Sequence, residues 1–277
     1  MTDRPADRSA LEDRIRQTPI EGSPQEMRSA FRHLFAPAPD QPLHDIGGVP
    51  CAEIGAHGPT VLWLHGGGLV LGSPVTHARA ASYLTQTNGA RIVLPDYPLA
   101  PEARWPAQRD ACLSVLDALE GPVHVVGDSV GGQLALILAF RRPGRIASLS
   151  LISPNTDRTG QSTTRERDTD LMNDDAGDKG FAEMAFGQAD PRDPDVSPLL
   201  GDLRALPPTL ILTAGAEILQ DDGLLLARAA ACAGADVALR NWPGLFHLWP
   251  LWPDILPEAR EALTEVAAHI DRHVAAR

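Results

Sequence analysis

The run Val123-His124-Val125-Val126-Gly127-Asp128-Ser129-Val130-Gly131-Gly132 constrains this chain more than any other stretch. A buried strand must end there in a turn of small residues and pass at once into an apolar helix marked by Leu134, Leu136, Ile137 and Leu138. Gly127, Ser129 and Gly131 fit the G-x-S-x-G spacing, in which glycines on either side of a serine keep side chains out of a strained turn. The hydroxyl of Ser129 is then exposed at the point of the turn, and Gly132 lets the helix pack close to the sheet. Five residues of pattern occur by chance; the strand before and the helix after give it weight.

Comparable apolar runs recur along the chain. Residues 60–64, 91–94, 146–152, 209–213 and 236–242 read as strands, and 42–54 as a short strand pair turning at Gly47-Gly48. Between them lie helical patterns, one with Cys112, Val115, Leu116 and Leu119 inside and one from about Asp221 to a stop at Gly234. Ala259, Leu263, Val266, Ile270 and Val274 give the apolar face of a closing helix. This alternation predicts an α/β fold, a mostly parallel sheet with helices on both faces and reacting groups at the carboxyl ends of its strands.

Two regions fall outside the alternation. Residues 1–40 carry two helical stripes, Leu11 with Ile15 and Met27 with Phe31, Leu34 and Phe35, the second opened by the capping box Ser23-Pro24-Gln25-Glu26. Their bland reading is core packing; their functional one is a lid. Residues 154–197 are polar, with one amphipathic piece at 181–186, and too long for a simple connection, so they read as an insertion over the same end of the sheet. The expected organisation is N-terminal cap helices in 1–40 and a core in 41–277 that carries 154–197 as a second cap segment.

Composition excludes some partners. A formal net charge of −12 argues against a nucleic-acid backbone or an anionic membrane surface. No apolar run of signal-peptide or membrane length follows Met1, so a cytoplasmic protein without membrane insertion is expected. Cys51, Cys112 and Cys232 lie far apart among apolar neighbours and read as core thiols of a reducing compartment, in preference to disulfide or metal roles.

A serine hydroxyl is a weak nucleophile and needs a base within reach. Of nine histidines, His247 lies just past the last strand, at the correct end of the sheet. His65 opens a glycine run and reads as a brace. His269 and His273 stand four apart on the closing helix, a metal-binding interval, yet without a third ligand a solvated face is the better reading. The imidazole needs a carboxylate between Ser129 and His247 in the order serine, acid, histidine. Glu217, directly after the 209–213 strand, is favoured; Asp221, which with Asp222 suits a first helical turn, is the alternative. His65-Gly66-Gly67-Gly68 can aim backbone N–H groups at an oxyanion, each worth roughly 3 kcal/mol. Gly67, Gly68 and Val130 are the expected donors, with Gly66 open. A phosphate cradle would want a following lysine or G-x-G-x-x-G spacing, and neither is present.

Together the H-G-G-G loop at 65–68, the G-D-S-x-G-G elbow at 127–132, the segments 96–102, 197–200 and 217–222 and the histidine loop 242–247 resemble the hormone-sensitive lipase branch of the α/β-hydrolases over roughly residues 45–275. The resemblance implies an eight-stranded α/β-hydrolase core under a helical cap, hydrolysing short to medium carboxylic esters with no cofactor and no metal. Ser129, His247 and Glu217 would be its catalytic residues. Val130 stands where the family has alanine, Pro98 where arginine is commoner, and Leu69 where an aromatic follows the glycines. Glu217 in place of aspartate is similar to the lactone-hydrolase sub-branch, which keeps lactones beside esters as the small-molecule substrate. Leu69, Phe31, Phe35 and Phe246 are expected on the pocket wall; Trp242, Trp249 and Trp252 crowd the histidine loop, where core packing also has a claim on them. An acyltransferase on the same triad is the nearest alternative, a non-catalytic ligand-binding protein the more distant one, and a homodimer stays open as the assembly.

Overall fold

The computed structural model describes residues 5–35 and 41–274. The expected boundary at residue 40 lies outside them.

Eight strands form one sheet in the order β1-β2-β4-β3-β5-β6-β7-β8. They are β1 (Leu43–Ile46), β2 (Val49–Ile54), β3 (Thr60–Leu64), β4 (Arg91–Pro95), β5 (Val123–Asp128), β6 (Ile146–Ile152), β7 (Thr209–Ala214) and β8 (Val237–Trp242). β1 and β2 run antiparallel to their neighbours, and every pairing from β4 to β8 is parallel. The β1–β2 turn is made by Gly47 (φ 64°) and Gly48 (φ 81°), a left-handed pair that suits the sheet twist. All six residues of β5 and all six of β7 are buried, which requires helices over both faces. Those helices are α3 (Pro74–Asn88), α4 (Ala107–Ala118), α5 (Val130–Arg141), α7 (Gln220–Cys232) and α8 (Pro257–Arg272), with α3 against α8 and α4 against α5. Ten consecutive residues of α5, from Val130 to Ala139, are buried, all apolar but Gln133, whose amide donates to the Asp195 carbonyl, so this helix is enclosed all round and holds the centre of the core.

Three expectations need correction. α8 ends at Arg272, which leaves Val274 past the helix and 41% exposed instead of on its apolar face. Cys51 and Cys112 are buried, but Cys232 is exposed in the last turn of α7, on the side away from the sheet. His269 is buried on α8, with Nε2 3.2 Å from the carbonyl oxygen of Pro208, so its spacing from His273 marks neither a metal site nor a solvated face. Burial takes its pKa down to about 4. Among the described residues no cluster of three or more metal-ligating side chains occurs, and no helix is long and apolar enough to cross a membrane.

The N-terminal helices α1 (Arg8–Gln17) and α2 (Pro24–His33) bury Leu11, Ile15, Met27 and Phe31. Ser23 caps α2 reciprocally with Glu26, as its sequence predicts. Arg28 fastens α2 to the core by donating to the carbonyls of Val70 and Ala100, each at 2.8 Å, and pairing with Glu102 at 2.6 Å.

Between β6 and β7 the chain forms α6 (Asp175–Phe186) and long loops held by buried charge. Arg165 pairs with Asp178 and Asp222, both at 2.6 Å, and Asp222 also accepts the N–H groups of Thr156 and Asp157. Asp222 therefore does more than favour a helix start: it pins the insertion to α7. Removing the shared cation would leave the buried carboxylate of Asp222 with backbone N–H partners alone and Asp178 with Arg158 and Asn155. Arg165→Ala is expected to lower stability by about 3–5 kcal/mol, read as a fall in the urea midpoint; a midpoint within error of wild type would contradict this account of the insertion.

Candidate active site

Four loops, after β3, β5, β7 and β8, leave the carboxyl ends of parallel strands at one end of the sheet, and the candidate polar residues ride on them. β5 ends at Asp128 and α5 begins at Val130, leaving Ser129 as the single residue of the turn. Its backbone takes φ 55° and ψ −122°, a conformation that costs a non-glycine residue about 1–3 kcal/mol. Hydrogen bonds hold it there: Ser129 donates its N–H to the Ile152 carbonyl at 2.9 Å, and its own carbonyl accepts from Gly132 and Asn155, each at 3.0 Å. A side chain on Gly131 would run into the carbonyl oxygen of Leu64, so the glycine two past the serine is required by the close approach of α5 to β3.

The glycine loop after β3 is set by Asp128. Its carboxylate accepts from Trp63 Nε1 at 2.9 Å and from the Gly66 N–H at 2.8 Å, and His77 Nε2 lies 3.1 Å away. Gly66 thus spends its N–H inside the fold. The N–H groups of Gly67, Gly68 and Val130 have no acceptor among the loop and cap hydrogen bonds of the described residues. His65 is fully buried, with Nδ1 2.9 Å from the Gly66 carbonyl and its ring stacked 4.0 Å from Tyr97. Burial drives its pKa down to about 3, so it is a neutral brace.

Glu217 and His247 meet through the loops after β7 and β8. Glu217, fully buried, accepts the Ala214 N–H on Oε1 at 2.7 Å and sits 3.0 Å from His247 Nδ1 through Oε2. Burial of His247 acts to lower its pKa, but the hydrogen bond and charge of Glu217, helped by Asp170 and Asp128, prevail and raise it. Asp221 is elsewhere, accepting the N–H and hydroxyl of Thr163.

Ser129 and His247 both face a cavity of about 50 Å3. Gly67 and Gly68 form one side, α2 contributes Phe31, and the insertion contributes Met172 and Phe181. Of the four side chains expected on the wall, only Phe31 reaches it. Leu69 is fully buried at φ 63°, with Leu71 two residues on taking the lining position. Phe35 stacks on Trp252 at 5.0 Å, and Phe246 meets the same ring edge-on at 5.8 Å. Trp242 and Trp249 pack on each other, so core packing claims these aromatics and leaves Leu248 beside the cavity.

Sequence reasoning missed His77, Asp170, Ile20 and Met172. The first two belong to no motif, and the last two to no periodic stripe. Only Phe181 had a signal, the amphipathic piece in the insertion.

An active serine needs a base, an orienting acid and donors for an oxyanion, and this end of the sheet holds candidates for each. A family described as alpha/beta hydrolase fold has a model that matches residues 61–251. The chain is similar to an acetyl-hydrolase of Streptomyces hygroscopicus, with 37% identity over 225 residues that span 77% of this chain and 75% of that protein. It is similar to an esterase of Acinetobacter venetianus, with 32% identity over 266 residues and 88% of each chain covered. Among solved structures it superimposes on an esterase from the bacterial hormone-sensitive lipase family with a TM-score of 0.89 at 28% identity, covering 96% of this chain and 98% of that one.

Proposed function

Given that this chain belongs to the alpha/beta hydrolase family and is a carboxylic ester hydrolase of the hormone-sensitive lipase kind, we propose that Ser129, His247 and Glu217 carry its reaction. The hydroxyl of Ser129 attacks the ester carbonyl while His247 takes its proton at Nε2. Glu217 holds Nδ1 and stabilises the imidazolium. The N–H groups of Gly67, Gly68 and Val130 receive the oxyanion, Gly66 being occupied by Asp128. Collapse of the tetrahedral adduct expels the alcohol, which takes its proton from His247. A water deprotonated by the same imidazole then releases the acid and frees Ser129. One observation carries this reading: the 3.0 Å Glu217–His247 contact lies behind a cavity that Ser129 shares with His247.

The cavity also bears on substrate size. At about 50 Å3 it is far below the several hundred Å3 of sites that enclose drug-sized ligands, and it suits an acetyl-sized acyl group. Relatives named acetyl-hydrolase and ethyl acetate hydrolase support the same preference. Phe31 from α2 and Met172 and Phe181 from the insertion act as the cap that sets this limit.

The test is hydrolysis of p-nitrophenyl esters of increasing chain length beside small lactones, followed across pH. Acetate is expected to be the best ester, with kcat/KM falling as the acyl chain lengthens. Since His247 must be neutral to accept the proton and its pKa is raised, kcat/KM should decline on the acid side with a midpoint above the 6.5 of a free imidazole. A lactone turned over faster than every ester would shift the substrate class, and an acid midpoint below that of free imidazole would contradict the raising of the His247 pKa by Glu217.

A further inference from the structure

Resting on the triad proposed above, we propose that Asp170 is a positioning residue of the reaction, its carboxylate tying the loop that bears the acid to the loop that bears the base. Asp170 lies in the insertion between β6 and β7. Oδ1 accepts the N–H of His247 itself at 3.1 Å, from a residue 77 positions away. Oδ2 accepts the N–H of Ile218, next to Glu217, also at 3.1 Å and from 48 positions away. Oδ1 takes a third N–H from Met172, which lines the cavity beside Ser129. The separation of the two carboxylate oxygens is fixed by bonding, so a single planar group sets the spacing of both loops at the residues that must meet.

Other contacts join these loops further from the chemistry. Ala216 donates its N–H to Leu245 at 2.9 Å, and the Thr169 hydroxyl donates to Ala216 at 2.8 Å. Neither touches the backbone of His247. Among the described residues Asp170 alone links the amide of the base to the residue following the acid, and it places a carboxylate close enough to act on the imidazole. The charged groups that act on His247 come from three elements: Glu217 after β7, Asp170 from the insertion and Asp128 at the end of β5. All three are carboxylates, so the positive charge that His247 gains when it takes the serine proton meets a negative field from each. Asp170 therefore acts through His247 in two ways, by the place of the ring and by the field around it.

The experiment compares wild type, Asp170→Asn, Asp170→Glu and Ser129→Ala, as full-length proteins, in p-nitrophenyl acetate hydrolysis from about pH 5 to about pH 9. Asparagine keeps the shape but loses the charge and turns an amino group toward the Ile218 N–H or the His247 N–H. For it, kcat is expected to fall about 10- to 100-fold, KM to change little, and the acid limb of kcat/KM to move to lower pH. Glutamate keeps the charge on a longer arm, so kcat falls while the acid limb stays near that of wild type. An asparagine variant with wild-type kcat, or with reduced kcat and an unmoved acid limb, would overturn the proposal. So would a glutamate variant whose limb moves as far as asparagine's, or circular dichroism showing that neither variant folds, since a group that only holds the scaffold behaves that way. Turnover retained by Ser129→Ala would strike the triad instead; an inactive Ser129→Ala beside an unaffected Asp170→Asn would strike Asp170 alone.

Discussion

Replacing Ser129 with alanine is expected to lower kcat for a short p-nitrophenyl ester by about 10^5- to 10^6-fold while leaving the fold intact. Both halves of this expectation follow from the turn. Ser129 sits between the last residue of β5 and the first of α5, so its backbone is set by those two elements and by bonds to Ile152, Gly132 and Asn155. Alanine keeps all of those bonds and bears the same left-handed φ at the same cost as serine. Only the hydroxyl is lost. Without it His247 has no proton to accept and the N–H groups of the glycine loop have no covalent oxyanion to hold, which leaves the residual rate of a cavity that binds and polarises the ester. The measurement is turnover at saturating ester with far-UV circular dichroism on the same sample. A folded variant that keeps more than a thousandth of wild-type kcat would exclude Ser129 as nucleophile.

The second large effect is expected at Glu217. Glu217→Gln should lower kcat about 10^3- to 10^4-fold, although the two side chains have the same shape. Oε1 accepts the Ala214 N–H and can go on doing so as an amide oxygen. The other terminus then becomes an NH2 group facing His247 Nδ1, where a carboxylate oxygen stood 3.0 Å away. A donor there forces Nδ1 to accept, which leaves the imidazole proton on Nε2, the nitrogen that has to take the proton of Ser129. The substitution also removes the hydrogen bond and charge that raise the His247 pKa, so the acid limb of kcat/KM should move to lower pH. Asp221→Asn is the control. Asp221 binds Thr163 and lies apart from His247, so its loss should leave kcat within a small factor of wild type. If Asp221→Asn, and not Glu217→Gln, abolished turnover, the acid would have to be reassigned.

Legibility differed from residue to residue. The elbow turn, the glycine loop and the strand ends that carry Ser129, Glu217 and His247 could be read because they depend on local matters: which residues tolerate a left-handed backbone, where an apolar run stops, which loop follows which strand. Glu217 could be favoured over Asp221 for the same reason, since its distance from the end of β7 is a local quantity. The pocket wall was another matter. Phe246 and the tryptophans near His247 look like wall residues because they are aromatic and close to it in sequence, and Phe35 because it shares a stripe with Phe31, yet they pack on one another in the core. Ile20 and Met172 reach the cavity without any pattern to announce them.

From its residues alone, then, this chain specifies a mostly parallel α/β core and the loops on which the proposed nucleophile, base, acid and oxyanion donors ride, because turn chemistry and hydrophobic period act over a few neighbouring residues. Tertiary structure decides the rest. It gives the N–H of Gly66 to Asp128 and leaves those of Gly67 and Gly68 without an acceptor among the loop and cap hydrogen bonds of the described residues, it sends Asp170 between two loops far from it in sequence, and it packs Phe35 on Trp252 while bringing Phe31 to the cavity beside Ser129. Each of those outcomes is a choice among hydrogen-bond partners and packing neighbours on distant segments, which exist as choices only once the sheet has brought its strand ends together.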